Sequence, residues 1–232
     1  MNRDQTGHAS KTPAIRADVD SRSSIQYALR STFAVSTTRI PARDLAHVAV
    51  FAALIIALGL PGAINIGISG VPITLQSLGV MMAGALLGPR KAVFAVLTVI
   101  ALGLVGLPVL AGGRTALFAL SSPTAGFLIG WIPAAFVIGW LTTKMLPKYR
   151  IIPGIGINLL GGVVVLYLFG IAGMMIRGHM TFLAAWTANA AFIPLDAAKA
   201  VVTAVVAAQV HRAYPALLRD SVAARAKTAV AN

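Results

Sequence analysis

An apolar run from about Ala188 to Gln209 is long enough to cross a bilayer, yet it holds both a carboxylate and an ammonium. They are Asp196 and Lys199, in the stretch Phe192-Ile193-Pro194-Leu195-Asp196-Ala197-Ala198-Lys199-Ala200. Asp196 is the only acidic residue between Asp44 and Asp220, and the chain has no Glu. Three positions apart on a helix, the two side chains share one face. Charges within a membrane span are costly and usually mark a ligand or ion site turned toward the protein interior. The plainer reading is an ion pair that neutralises itself and only holds helices together. Pro194 fits just inside the start of this helix, where a missing N–H costs nothing.

Composition supports reading this run as a span. Of 232 residues, 58% are hydrophobic and 11% charged, with a mean hydropathy of +0.85. A soluble domain carries about 25% charged residues, so the chain is read as a polytopic membrane protein with one continuous membrane domain. The net charge of +13 would suggest nucleic acid in a soluble protein. Here the basic residues flank the apolar runs, which is positive-inside anchoring, and no basic face with interleaved aromatics appears, so no nucleic-acid partner is expected. Without cysteine, disulfide and thiolate chemistry are excluded.

In chain order, residues 1–40 are rich in Ser, Thr, Arg and Asp, lack helical periodicity, and are expected to be a disordered cytoplasmic extension. No apolar h-region follows Met1 closely, so no cleavable signal peptide is expected. Apolar spans are expected at about Leu45–Leu60, Thr74–Leu87, Ala92–Leu107, a fourth running to about Leu141, Ile152–Met175 and Ala188–Gln209. Ser121-Ser122-Pro123-Thr124 reads as the N-cap of the fourth. Pro61-Gly62 ends the first span, and Gly88-Pro89-Arg90-Lys91 makes a tight basic turn. Pro108-Val109-Leu110-Ala111-Gly112-Gly113-Arg114 reads as a loop or re-entrant segment. Ala49, Ala53 and Ala57 form a small-residue stripe on the first span, suited to close approach of another helix or to internal packing.

Charge sets the orientation. Arg39 and Arg43, then Arg90 and Lys91, then Lys144, Lys148 and Arg150, and finally His211 with Arg212 and the tail at 214–232 lie at alternate ends of the spans. Six helices place all of these on the cytoplasmic side, with both termini inside. The membrane domain is expected at 41–213, and loops 1, 3 and 5 lie outside. Lys199 precedes His211 by twelve residues, roughly 18 Å at about 1.5 Å per residue. That puts the charged pair in the outer half of a core about 30 Å thick. Thr74, Gln76 and Arg114 can converge over it, and the expected architecture is an all-α membrane protein whose outer loops cap an outward pocket.

A set of motifs then appears in order: Val71-Pro72-Ile73-Thr74-Leu75-Gln76, Leu87-Gly88-Pro89-Arg90, Gly106-Leu107-Pro108-Val109-Leu110-Ala111-Gly112-Gly113, Pro123-Thr124-Ala125-Gly126-Phe127 and the Phe192 to Lys199 stretch. Over about residues 45–213 this resembles the BioY family, the biotin-binding S components of energy-coupling factor (ECF) transporters. The resemblance implies a multi-pass protein of the bacterial cytoplasmic membrane that captures biotin outside. It implies delivery of biotin with a transmembrane coupling subunit and two ATPase subunits. It further implies that the Ala49, Ala53 and Ala57 stripe faces the coupling subunit.

Biotin presents a ureido head, an apolar sulfur-containing ring and a carboxylate tail. A buried carboxylate accepts N–H bonds and an ammonium donates to a carbonyl. Asp196 is therefore expected to accept from ureido N–H while Lys199 donates to the ureido oxygen; alternatively Lys199 pairs with the tail carboxylate and Asp196 orients it. Two charged hydrogen bonds of about 1.5–3 kcal/mol each, with ring burial, can approach the roughly 12 kcal/mol of nanomolar binding. Arg114 is a candidate for the biotin carboxylate, or else an interfacial charge. Thr74 and Gln76 are candidates for a lid contact, or else for capping the second span. Asn158 and Tyr167 are candidates for lining the pocket, or, for Tyr167, for plain packing. Trp186 suits an aromatic belt, His179 a loop, and Met174 and Met175 core filler.

Two other classes compete. A proton-coupled secondary transporter would use Asp196 as its titrating group, but one intramembrane acid and no evident inverted repeat weigh against it; an S component for another vitamin is the nearer alternative. An intramembrane enzyme lacks machinery: there is no His-Glu-x-x-His, no Gly-x-Ser-x-Gly, no paired carboxylates and no phosphate loop. Neither a metal nor a cofactor is expected, and any ATP-driven step needs another protein.

Overall fold

Proline and glycine cut the apolar runs into helices. The computed structural model describes residues 41–61, 64–65 and 72–214; the expectations for 1–40, for most of the tail and for the middle of the first loop fall outside these. α1 (Ala42–Ala57) starts after Pro41. A two-residue antiparallel pair, β1 (Ile64–Asn65) with β2 (Pro72–Ile73), sits in the first loop. α2 (Gln76–Leu87) stops at Gly88, and Pro89 opens α3 (Pro89–Leu104). Short α4 (Ala116–Ser121) precedes α5 (Ala125–Met145). α6 spans Ile151–Arg177, α7 Phe182–Ala190 and α8 Ile193–Ala213. Two of these, α4 and α7, lie in segments expected to be loop or part of the sixth span.

The helix that carries the charged pair begins at Ile193, not Ala188, for a steric reason. Pro194 cannot donate to the carbonyl four residues back, and its ring would strike it. That carbonyl belongs to Ala190, the last residue of α7. The helix therefore breaks at Ala191-Phe192 and restarts, with Pro194 in its first turn as expected. α7 has its own start, since Thr181 Oγ1 accepts from Ala184 N at 3.3 Å. Thr124 is the N-cap residue of α5 as the sequence suggests, but its hydroxyl meets Ser122 Oγ at 2.8 Å rather than capping the helix.

Among the described residues, three helices, α5, α6 and α8, are long and apolar enough to cross a membrane. In α6 and α8 only 39% and 33% of the most apolar window is buried within the protein. A helix apolar on all sides whose outer faces are left uncovered needs an apolar solvent. α1 and α3 have 16 residues each, about 24 Å at 1.5 Å per residue.

α5 is the central strut, packed against α2, α3, α4 and α6. Its closest approach is at Gly126, where an added Cβ would lie 2.0 Å from the Phe169 carbonyl oxygen of α6. Met174 is fully buried here, as core filler should be, but Met175 is 40% exposed and faces away from the core.

The middle of α6, Leu160–Val165, is π-helical, and this changes which residues face inward. Asn158 and Met174 are sixteen residues apart; at about 100° per residue a regular helix leaves them about 160° apart. An i→i+5 turn takes in one extra residue and withdraws roughly 100° of that. Both side chains are consequently fully buried, and Tyr167, between them, turns inward too.

Candidate functional site

The first two turns of α8 carry Asp196 and Lys199, 7% and 5% exposed. A carboxylate in a first turn also meets the positive end of the helix dipole. Lys199 Nζ donates to Asp196 Oδ1 at 2.8 Å, to the Thr74 carbonyl at 2.7 Å and to Ser77 Oγ at 3.0 Å. An ammonium has three hydrogens, and all three are engaged. The other carboxylate oxygen, Oδ2, accepts from the Tyr167 hydroxyl at 2.5 Å. Tyr167 is held edge-on by Phe127, ring centroids 6.0 Å apart. Each oxygen of Asp196 keeps acceptor capacity, whereas Lys199 and Tyr167 have spent theirs as donors.

This array forms one wall of a cavity also lined by Thr74, Gln76 and Arg114, with Trp131, Leu128 and Phe192 on its apolar side. The cavity offers about 100 Å³ to the centres of water-sized molecules, against about 10–15 Å³ for one water. Its scale is that of a small organic guest. Arg114 closes a tight turn in which Leu110 and Arg114 exchange backbone hydrogen bonds of 3.0 and 3.1 Å. Gly112 and Gly113, at φ +75 and +70, make that turn possible. Arg114 Nε donates to Ala111 O at 3.1 Å, and partial burial lowers the guanidinium pKa from its ordinary value.

The structure gives three of the expected site residues partners that the sequence did not show. Gln76 reaches the cavity wall, and its amide bonds within the protein without capping α2. Nε2 donates to Ile55 O at 3.2 Å and Val109 O at 3.0 Å, and Oε1 accepts from Ala111 N at 2.8 Å. It is the staple that ties the 107–115 loop to α1. Thr74 contributes its carbonyl to Lys199 in addition to lining the cavity. Asn158 does not line the cavity: it is fully buried and donates to Gly154 O at 2.8 Å on its own helix. It lies nine residues from Tyr167, about 13 Å along the axis. Residues missed were Ser77, Trp131 and Asn189. A lone amide such as Asn189 in an apolar stretch was a usable signal, because a buried polar group needs a partner.

Residues 30–216 match the model of the BioY family. The chain belongs to the BioY family. Among similar BioY proteins, the biotin transporter BioY of Rhizobium etli is 47% identical over 180 residues, covering 75% of this chain and 96% of that one. The biotin transporter BioY of Rhodobacter capsulatus is 46% identical over 190 residues, covering 76% and 97%. A crystal structure of the S component for biotin from an ECF-type ABC transporter superposes with a TM-score of 0.71 at 34% identity, covering 76% of this BioY chain and 94% of the other.

Proposed function

We propose that this chain binds biotin with high affinity and serves its uptake across the bacterial cytoplasmic membrane, as the substrate-capture subunit of an ECF-type ABC transporter. The observation that carries the reading is the buried Asp196 array: a carboxylate oriented by Lys199 and Tyr167, with acceptor capacity facing a cavity of small-molecule size. A ureido ring offers N–H donors to such an acceptor. Lys199 then orients Asp196 and neutralises it, and Arg114 at the other loop takes the tail carboxylate.

In this reading six helices, α1, α2, α3, α5, α6 and α8, cross the membrane, both termini are cytoplasmic, and loops 1, 3 and 5 cap an outward pocket. The membrane domain is 41–213, flanked by cytoplasmic tails at 1–40 and 214–232. The partners are a transmembrane coupling subunit and two ATPase subunits, which perform the hydrolysis. Ala49, Ala53 and Ala57 lie exposed along one face of α1, which suits the coupling interface.

The test is isothermal titration of the detergent-solubilised protein with biotin, alongside thiamine and riboflavin. Nanomolar biotin binding without response to the other two supports the proposal. A folded protein with no biotin binding at micromolar concentration overturns it.

A further inference from the structure

We propose that Asn189 is a second fixed acceptor for the ligand's ring N–H groups, working with Asp196 to select a cyclic urea that carries both hydrogens. This inference rests on the biotin reading above. Asn189 lies in the last turn of α7, is 1% exposed and lines the same cavity as Asp196. Its Nδ2 donates to Ala185 O at 2.7 Å and to Met174 Sδ at 3.1 Å. Those bonds use both amide hydrogens and fix the amide's orientation: turned over, Oδ1 would face the Ala185 carbonyl oxygen. Oδ1 itself has no partner among the described residues. A buried acceptor left unpaired is uncommon and costly, and one in a cavity wall is satisfied when a donor enters.

The chemistry of the guest follows from which groups can change role. The hydroxyls of Ser77 and Thr124, also in the wall, rotate to donate or accept, so they discriminate weakly. Asp196 and the Asn189 oxygen can only accept. A urea ring has two N–H groups on opposite edges of its carbonyl. With Asp196 on one nitrogen, an acceptor on a different helix is required for the second, and α7 supplies it. A site built to bond an N–H rejects an analogue lacking it far better than it distinguishes apolar size.

The experiment titrates wild type and Asn189→Ala with biotin and with its two ring-N-methyl isomers. Asn189→Ser, whose hydroxyl can still bond Ala185 O, serves if the alanine variant folds poorly, as judged by the ligand-free melting midpoint. The expected result is biotin binding about tenfold weaker in the variant. One of the two N-methyl isomers should show no further difference between wild type and variant, because the hydrogen in question is already gone. Biotin affinity within twofold of wild type overturns the inference. So does an equal loss for biotin and both isomers, which would indicate a packing effect. A wild type that binds no biotin overturns the biotin reading together with this inference; a wild type that binds biotin beside an unchanged variant overturns this inference alone.

Discussion

Asp196→Asn changes one atom and inverts one half of the recognition array. Lys199 requires an acceptor at 2.8 Å, so the new amide must keep its oxygen at the Oδ1 position. Its NH2 then replaces Oδ2, where the Tyr167 hydroxyl now donates at 2.5 Å. Tyr167 can rotate its hydrogen away and accept, which preserves the fold. A ligand N–H bonded at the Oδ2 position has no such freedom, because it would meet an N–H. The loss comprises a charge-assisted bond of about 1.5–3 kcal/mol and an unpaired buried donor of about 1–3 kcal/mol. Together these predict biotin binding weaker by about 10² to 10⁴, at roughly 1.4 kcal/mol per tenfold. Isothermal titration measures the affinity, and the ligand-free melting midpoint, lowered because buried Lys199 loses its counter-charge, shows that the variant still folds. Affinity within threefold of wild type, in a protein that still binds, would refute the assignment of Asp196 as the ligand's acceptor.

Gln76→Ala releases the 107–115 loop by removing three hydrogen bonds; a stability loss of about 2–4 kcal/mol and faster biotin dissociation are expected by thermal melting and stopped-flow release. Deleting Val163, inside the π-helical turn, should convert α6 to a regular helix and rotate Tyr167 by about 100°. Biotin binding should then fall at least tenfold, and retention of wild-type affinity by titration would contradict the geometric role of that turn. Gly126→Ala sets a methyl 2.0 Å from a backbone oxygen, with no flexible neighbour to yield. It should destabilise by about 3 kcal/mol or more, read as a lowered melting midpoint in detergent.

How much was legible in the residues is clearest at particular positions. Asp196 and Lys199 stood out because a lone carboxylate in a membrane-length apolar run has few reasons to be there. The turn at Gly88-Pro89 and the helix start at Pro194 were equally plain, since these residues constrain the backbone locally. Asn158 and Gln76 were legible as polar groups in apolar surroundings but not as to partner. One bonds within its own helix; the other reaches across to a loop more than thirty positions away.

Local chemistry in the chain determined that this protein is helical and apolar, where its helices break, and which two charges had to be kept from lipid. Only the tertiary structure decided that Lys199 faces Asp196, Thr74 and Ser77 at once, that Gln76 is a staple, and that a π-helical turn swings Tyr167 onto the carboxylate. Hydropathy and backbone restraint act over a few neighbouring residues. The partner of a buried polar group is instead set by which helices cross, over separations such as the 122 residues between Ser77 and Lys199.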